Sequence, residues 1–153
     1  MTATAPQASV QKPDFVLATD IAASPQKVWD ALTESNHVKA YHFAFCTVEG
    51  TLKAGERFDH KLPDGNLMLG GEVIAVDPPR RLEMTFEPGW AGPDAQASRC
   101  VYEIEATDGG SRFTVLHFGI PEGQEGVKDG WTNIANRLKA YLEDGTTNQE
   151  YAA

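Results

Sequence analysis

Residues 124–144 read QEGVKDGWTNIANRLKAYLED. Val127, Trp131, Ile134, Leu138 and Leu142 recur every three or four positions, so a helix over this stretch carries one apolar stripe and is polar elsewhere. Gly145 supplies a natural stop. A helix of this kind must lay its stripe on something, and what can cover it decides the fold.

The cover lies upstream. From Phe43 to Phe118 the pattern is one of short alternating runs separated by turn chemistry, and it predicts six strands: about Ala44–Val48, Glu56–Leu62, Leu67–Asp77, Leu82–Glu87, Ser98–Ala106 and Ser111–Gly119. Pro63-Asp64-Gly65 and Asp108-Gly109-Gly110 are hairpin signals, and Pro78-Pro79 must end a strand because proline has no ladder donor. The connection between Glu87 and Ser98, rich in Pro, Gly and Ala and carrying Trp90, reads as a mobile loop near a cavity mouth. Phe15–Ile21 alternates as well, with Phe15, Leu17, Thr19 and Ile21 on one face. It ends at Ser24-Pro25, a cap and first-turn pair that opens a helix through Trp29 and Leu32; a second helical turn is expected over Glu34–Tyr41.

About seven antiparallel strands must bury one face, and the stripe beginning at Val127 is the apolar surface left to cover it. The expected architecture is therefore α+β, a helix-grip fold: a curved sheet wrapped around a long C-terminal helix, with two short helices after the first strand. The expected organisation is a flexible arm over 1–13, a single domain over 14–145 and a frayed polar tail over 146–153.

Composition narrows the function. The chain has 153 residues, 13 Lys and Arg against 22 Asp and Glu, and a formal net charge of −9. A domain of this length buries roughly 70% of the surface its unfolded form exposes, so no metal or disulfide staple is required. The acidic balance argues against nucleic acid or anionic membrane as a partner, since both need clustered cations. No stretch has the run of apolar residues that a spanning helix needs. Cys46 and Cys100 stand far apart with no C-x-x-C spacing; they read as buried free thiols, and a reducing cytoplasmic setting is expected.

Strand parity places Phe58, His60, Leu62, then Leu82, Met84, Phe86, then Cys100, Tyr102, Ile104, then Phe113, Val115, His117 on the concave side. From these come the candidate ligand-binding residues: Phe58, His60, Met84, Phe86, Tyr102, Val115 and His117, with Trp131 and Ile134 from the helix. Each has a plainer reading as core, and His60 or His117 can equally be a histidine satisfied by backbone or by the Tyr102 hydroxyl. His37, His42, His60 and His117 show no metal-ligand spacing, so neither metal nor cofactor is expected. No nucleophile elbow, phosphate-cradling loop or dinucleotide fingerprint occurs.

Several motifs together resemble a known family. Ser24-Pro25-Gln26-Lys27-Val28-Trp29-Asp30-Ala31-Leu32-Thr33 resembles the A-P-x-x-V-W-x-A-L-T opening of the START/Bet-v-type (SRPBCC) superfamily, in the branch named for the activator of the heat-shock-protein-90 ATPase. Gly71-Glu72-Val73 through Val76-Asp77-Pro78-Pro79-Arg80-Arg81-Leu82 is similar to that branch's G-x-V-x-x-V-D-P-P-x-R-L. Ser111–His117 and Gly130-Trp131 resemble its T-R-L-T-L-T-H and its helix-opening G-W; Tyr41-His42-Phe43 departs from a Trp often found there. The resemblance implies a pocket between sheet and long helix, used by different members for lipid or polyketide binding, cyclisation, hydrolysis or chaperone assistance. Fold transfers on such a likeness and function does not.

The leading expectation is a binding domain for a small apolar or amphipathic molecule. The alternatives are a cofactor-independent hydrolase or cyclase with His117 or His60 as acid–base and Tyr102 as oxyanion donor, and a module stimulating a chaperone ATPase. The sequence leaves open a homodimer and a chaperone partner.

Overall fold

The computed structural model describes residues 12–91 and 95–152. All but two positions of the expected arm fall outside the described residues, as do positions 92–94 of the loop that carries Trp90.

The first strand, β1 (Phe15–Ile21), half-buries alternate side chains and runs into Ser24. Ser24 caps the next helix, its hydroxyl accepting the Lys27 N–H at 3.3 Å, and Pro25 takes the first helical position. Helices α1 (Pro25–Thr33) and α2 (Ser35–Tyr41) follow, burying Val28, Trp29, Leu32, Val38 and Tyr41. Then come β2 (Thr47–Gly50), β3 (Phe58–Lys61), β4 (Leu67–Gly70), β5 (Val73–Asp77) and β6 (Arg81–Pro88). A 3-10 turn (Gly89–Ala91) leads on toward β7 (Ser98–Thr107), β8 (Gly110–Phe118), the long helix α3 (Val127–Asp144) and a short α4 (Asn148–Ala152). The sheet is antiparallel throughout, in the order β1-β8-β7-β6-β4-β3-β2, with β5 also paired to β6.

The single strand expected over Leu67–Asp77 is two. Gly71 offers its carbonyl to the Phe58 N–H of β3 at 2.8 Å, whereas the carbonyl of the next residue, Glu72, accepts the Thr85 N–H of β6 at 3.0 Å. Neighbouring peptide groups thus serve different strands, and the ladder steps there. A side chain at Gly71 would meet the Thr85 carbonyl at 2.9 Å, so the step needs glycine. This break accounts for eight strands rather than about seven.

Helix α3 begins at Val127, a turn later than expected, because Gln124 closes a turn onto the Pro121 carbonyl. Its buried face is Val127, Trp131, Ala135 and Leu138, with Ile134 and Leu142 half-buried against the same core. Gly145 ends it at φ 72°. The C-terminal end is tied to the β1–α1 corner: Glu143 accepts the Ala22 N–H at 2.8 Å, and Lys139 donates to the Asp20 carbonyl. No helix among the described residues is long and apolar enough to cross a membrane.

The tail is not frayed where it was expected to be. Asn148 is 7% exposed, and its amide donates to the carbonyls of Lys39 at 3.0 Å and His42 at 2.9 Å, capping the end of α2. A polar side chain holds the segment because those carbonyls have no continuing helix to satisfy them.

Leu138 is fully buried. Leu138→Ala is expected to destabilise the domain by about 2–5 kcal/mol, and Asn148→Ala by about 1–3 kcal/mol, both read from urea unfolding midpoints.

Candidate functional site

A cavity of about 70 Å³ remains between sheet and helix, confined to the end where α1, α2 and the start of α3 meet the strands. The sheet contributes His60 from β3, Leu69 from β4, Phe86 from β6 and Tyr102 from β7. From α3 come Val127, Trp131 and Ile134, and Gly130 lets the helix backbone itself form part of the wall. Leu32 and Tyr41 close the α1–α2 side, His42 and Phe43 the segment after α2, and Met68 and Trp90 the outer edge.

The aromatic walls pack edge to face or tilted rather than flat. Tyr102 meets Trp131 at 5.8 Å between ring centres and an interplanar angle of 88°; Phe86 lies 5.8 Å from Trp131. These contacts set the width of the hollow.

The candidate residues divide. His60, Phe86, Tyr102, Trp131 and Ile134 line the cavity. Phe58, Met84 and Val115 pack in the core and His117 lies behind it, none of them on the lining. Sequence reasoning passed over His42, Phe43, Met68 and Leu69 as site residues. The aromatic run Tyr41-His42-Phe43 was a usable signal for the first two. Parity could not place Met68 and Leu69, because the ladder step at Gly71 lay inside what reads as one strand.

His117 is fully buried, with both ring nitrogens engaged. The Trp131 indole N–H donates to its Nδ1 at 2.9 Å, and Nε2 stands 2.7 Å from the Ser98 hydroxyl. An indole nitrogen can only donate, so Nδ1 must accept and the imidazole proton sits on Nε2, donating to Ser98. The ring is neutral, and burial holds its pKa down to about 4. His117 therefore pins the long helix to β7 and β8.

His60 differs. It is 7% exposed, and its Nδ1 is buried with no hydrogen-bond partner among the described residues. Its ring lies 6.0 Å from that of His42, whose Nδ1 accepts the Ala44 N–H at 3.0 Å. Burial lowers the His60 pKa to about 4; burial, then the neighbouring His60 and Arg137, lowers that of His42 to about 3. Both imidazoles are uncharged at neutral pH. The Tyr102 phenol is pushed up by burial and stays protonated. Among the described residues no His, Cys, Asp and Glu gather to hold a metal ion.

The family profile described as "Activator of Hsp90 ATPase homolog 1-like protein" matches residues 22–143. The chain belongs to this family. The matched span contains every motif from Ser24-Pro25 to Gly130-Trp131, and the SRPBCC-type helix-grip fold read from them holds. Among solved structures, protein MLL2253 from Mesorhizobium loti is 24% identical, with a TM-score of 0.70 over 84% of this chain and 96% of that one. CalU16 from Micromonospora echinospora is 21% identical, TM-score 0.67, over 85% and 76%. The Aha1 dimer from Colwellia psychrerythraea is 17% identical, TM-score 0.69, over 86% and 96%. At such identities the likeness carries the fold alone. A search of curated proteins finds no match. In this member of the family the side chains around the cavity have to carry the functional argument.

Three histidines held below 6.5 make stability depend on pH. Between about pH 6.5 and pH 4 the unfolded chain binds protons that the folded chain refuses, so their contribution is complete above that window and is lost as pH falls through it. Each histidine adds a slope of up to about 1.4 kcal/mol per pH unit. Urea unfolding across the window is expected to show falling stability, with His60→Phe removing one histidine's share; an unchanged slope in that variant would show that His60 titrates normally in the folded chain.

Proposed function

We propose that the chain binds a small neutral molecule in the cavity between sheet and α3, its apolar part against Phe86, Tyr102 and Trp131 and its polar group at His60. The observation that carries the reading is His60, a residue of a largely apolar lining whose buried Nδ1 has no hydrogen-bond partner among the described residues. A buried polar atom left unpaired costs about 1–3 kcal/mol, and a bound hydroxyl, amide or carbonyl relieves that cost. An apolar pocket with one or a few convergent polar groups is the usual form of a small-molecule site.

Binding is favoured over acid–base catalysis by the state of His117. A proton-transfer role there would first have to break its bonds to Trp131 and Ser98, which hold the helix on the sheet. His60 has the unpartnered nitrogen, but burial holds it and the other titratable groups of the lining, His42, Tyr41 and Tyr102, in their uncharged forms, far from the pKa near 7 that proton transfer wants.

The probe that fits the hollow is 1-butanol. Titrated into the folded protein, it is expected to shift the ring resonances of His60 and the indole N–H of Trp131 while leaving Trp29, buried on α1, unmoved. His60→Phe is expected to weaken binding about tenfold, the worth of one buried hydrogen bond. Equal affinity in the variant, or shifts spread over the surface, would remove His60 from the site.

A further inference from the structure

The cavity has a neighbouring groove. Met68 and Trp90 line the cavity on one side, and the same two side chains wall the groove, an open space of about 850 Å³ running past Leu67 and Pro88. Trp90 is 56% exposed and Leu67 37% exposed, so large apolar side chains stand in water along this groove. The inner cavity has room for on the order of five water-sized groups, well below the roughly 300–1,000 Å³ of ordinary small-molecule sites. A ligand anchored at His60 therefore runs out of room in the cavity after a few carbon atoms, and the adjoining groove is where the rest of it would lie.

We propose that the ligand is elongated, with a neutral hydroxyl-type head at His60 and an apolar tail that leaves the cavity beside Met68 and Trp90 and rests in the groove against Leu67. This deepens the reading of the cavity given above and rests on it. Trp90, shared by both spaces, is the specificity-determining residue for tail length. The head is neutral because the cavity lining contains no Lys or Arg, and a carboxylate would leave water to face uncharged imidazoles. A hydroxyl suits His60 in either tautomer, since it both donates and accepts.

The test is calorimetric titration of the full chain with 1-butanol, 1-hexanol and 1-octanol, and with octanoate as the charged counterpart. Half-covered methylenes in the groove are worth about twofold each in affinity, so octanol, with four more of them, is expected to bind about fifteenfold tighter than butanol. Octanoate is expected to bind at least tenfold more weakly than octanol; equal affinity overturns the neutral head. Trp90→Ala, and separately Leu67→Ser, are expected to flatten the octanol-to-butanol ratio toward one, with Trp90→Phe keeping most of it. The ratio is taken within each variant, so a general loss of stability does not imitate the effect. If butanol binds at His60 and octanol gains nothing, or both variants keep the ratio, the groove has no part and the cavity ligand is compact. If none of the alcohols binds, or all bind His60→Phe as they bind the unaltered protein, the reading of the cavity fails and takes the elongated ligand with it.

Discussion

The indole N–H of Trp131, buried inside the grip, must be hydrogen-bonded if the long helix is to lie on the sheet at all. Trp131 is 6% exposed, and a donor buried that deeply without an acceptor would offset much of what its ring contributes by packing. His117 supplies the acceptor, and Ser98 takes the proton that the arrangement forces onto the far side of the imidazole. Helix α3, strand β8 and strand β7 are thereby joined through one buried polar chain. That chain fixes how Trp131 is turned, and Trp131 in turn meets Tyr102 edge on and Phe86 at a tilt of 53°.

The hollow is what these contacts leave over. Where Phe113, Val115, Ile104 and Leu138 meet, the core closes as any well-packed interior does. Toward α1 and α2 the aromatic edges cannot interlock as tightly, and a space of about 70 Å³ remains. Its lining is largely apolar, and the titratable side chains on it are His42, His60, Tyr41 and Tyr102. All of these are uncharged at neutral pH because burial penalises the ionised form of each.

Membership of the family settles how the chain folds and leaves the function to the side chains of the site. Relatives with the same grip at 17–24% identity share the sheet and the helix, while the side chains that face the hollow are free to differ. In this chain His42, after α2, lies beside His60 on the lining, their ring centres 6.0 Å apart, and Trp90 lines both the cavity and the neighbouring groove.

The stripe from Val127 to Leu142, the alternation in the strands and the Ser24-Pro25 cap were all legible in the chain. Each depends on a local period or a local hydrogen bond: 3.6 residues per turn, two per pleat, a serine hydroxyl three positions from the N–H it accepts. The same periods placed His60, Phe86, Tyr102, Trp131 and Ile134 on the inner side. They could not separate the residues that line the cavity from those that fill the core, because Phe58, Met84 and Val115 share that parity and differ only in what lies opposite. The step at Gly71, the docking of Asn148 on α2 and the engagement of both His117 nitrogens are contacts between segments distant in sequence. The sequence by itself determined which faces are apolar and the type and order of most elements, since those are short-range properties of the chain. Only the tertiary structure decided that one buried histidine is fully bonded while another is left with an open nitrogen, because hydrogen-bond partners are set by which strands and helices become neighbours.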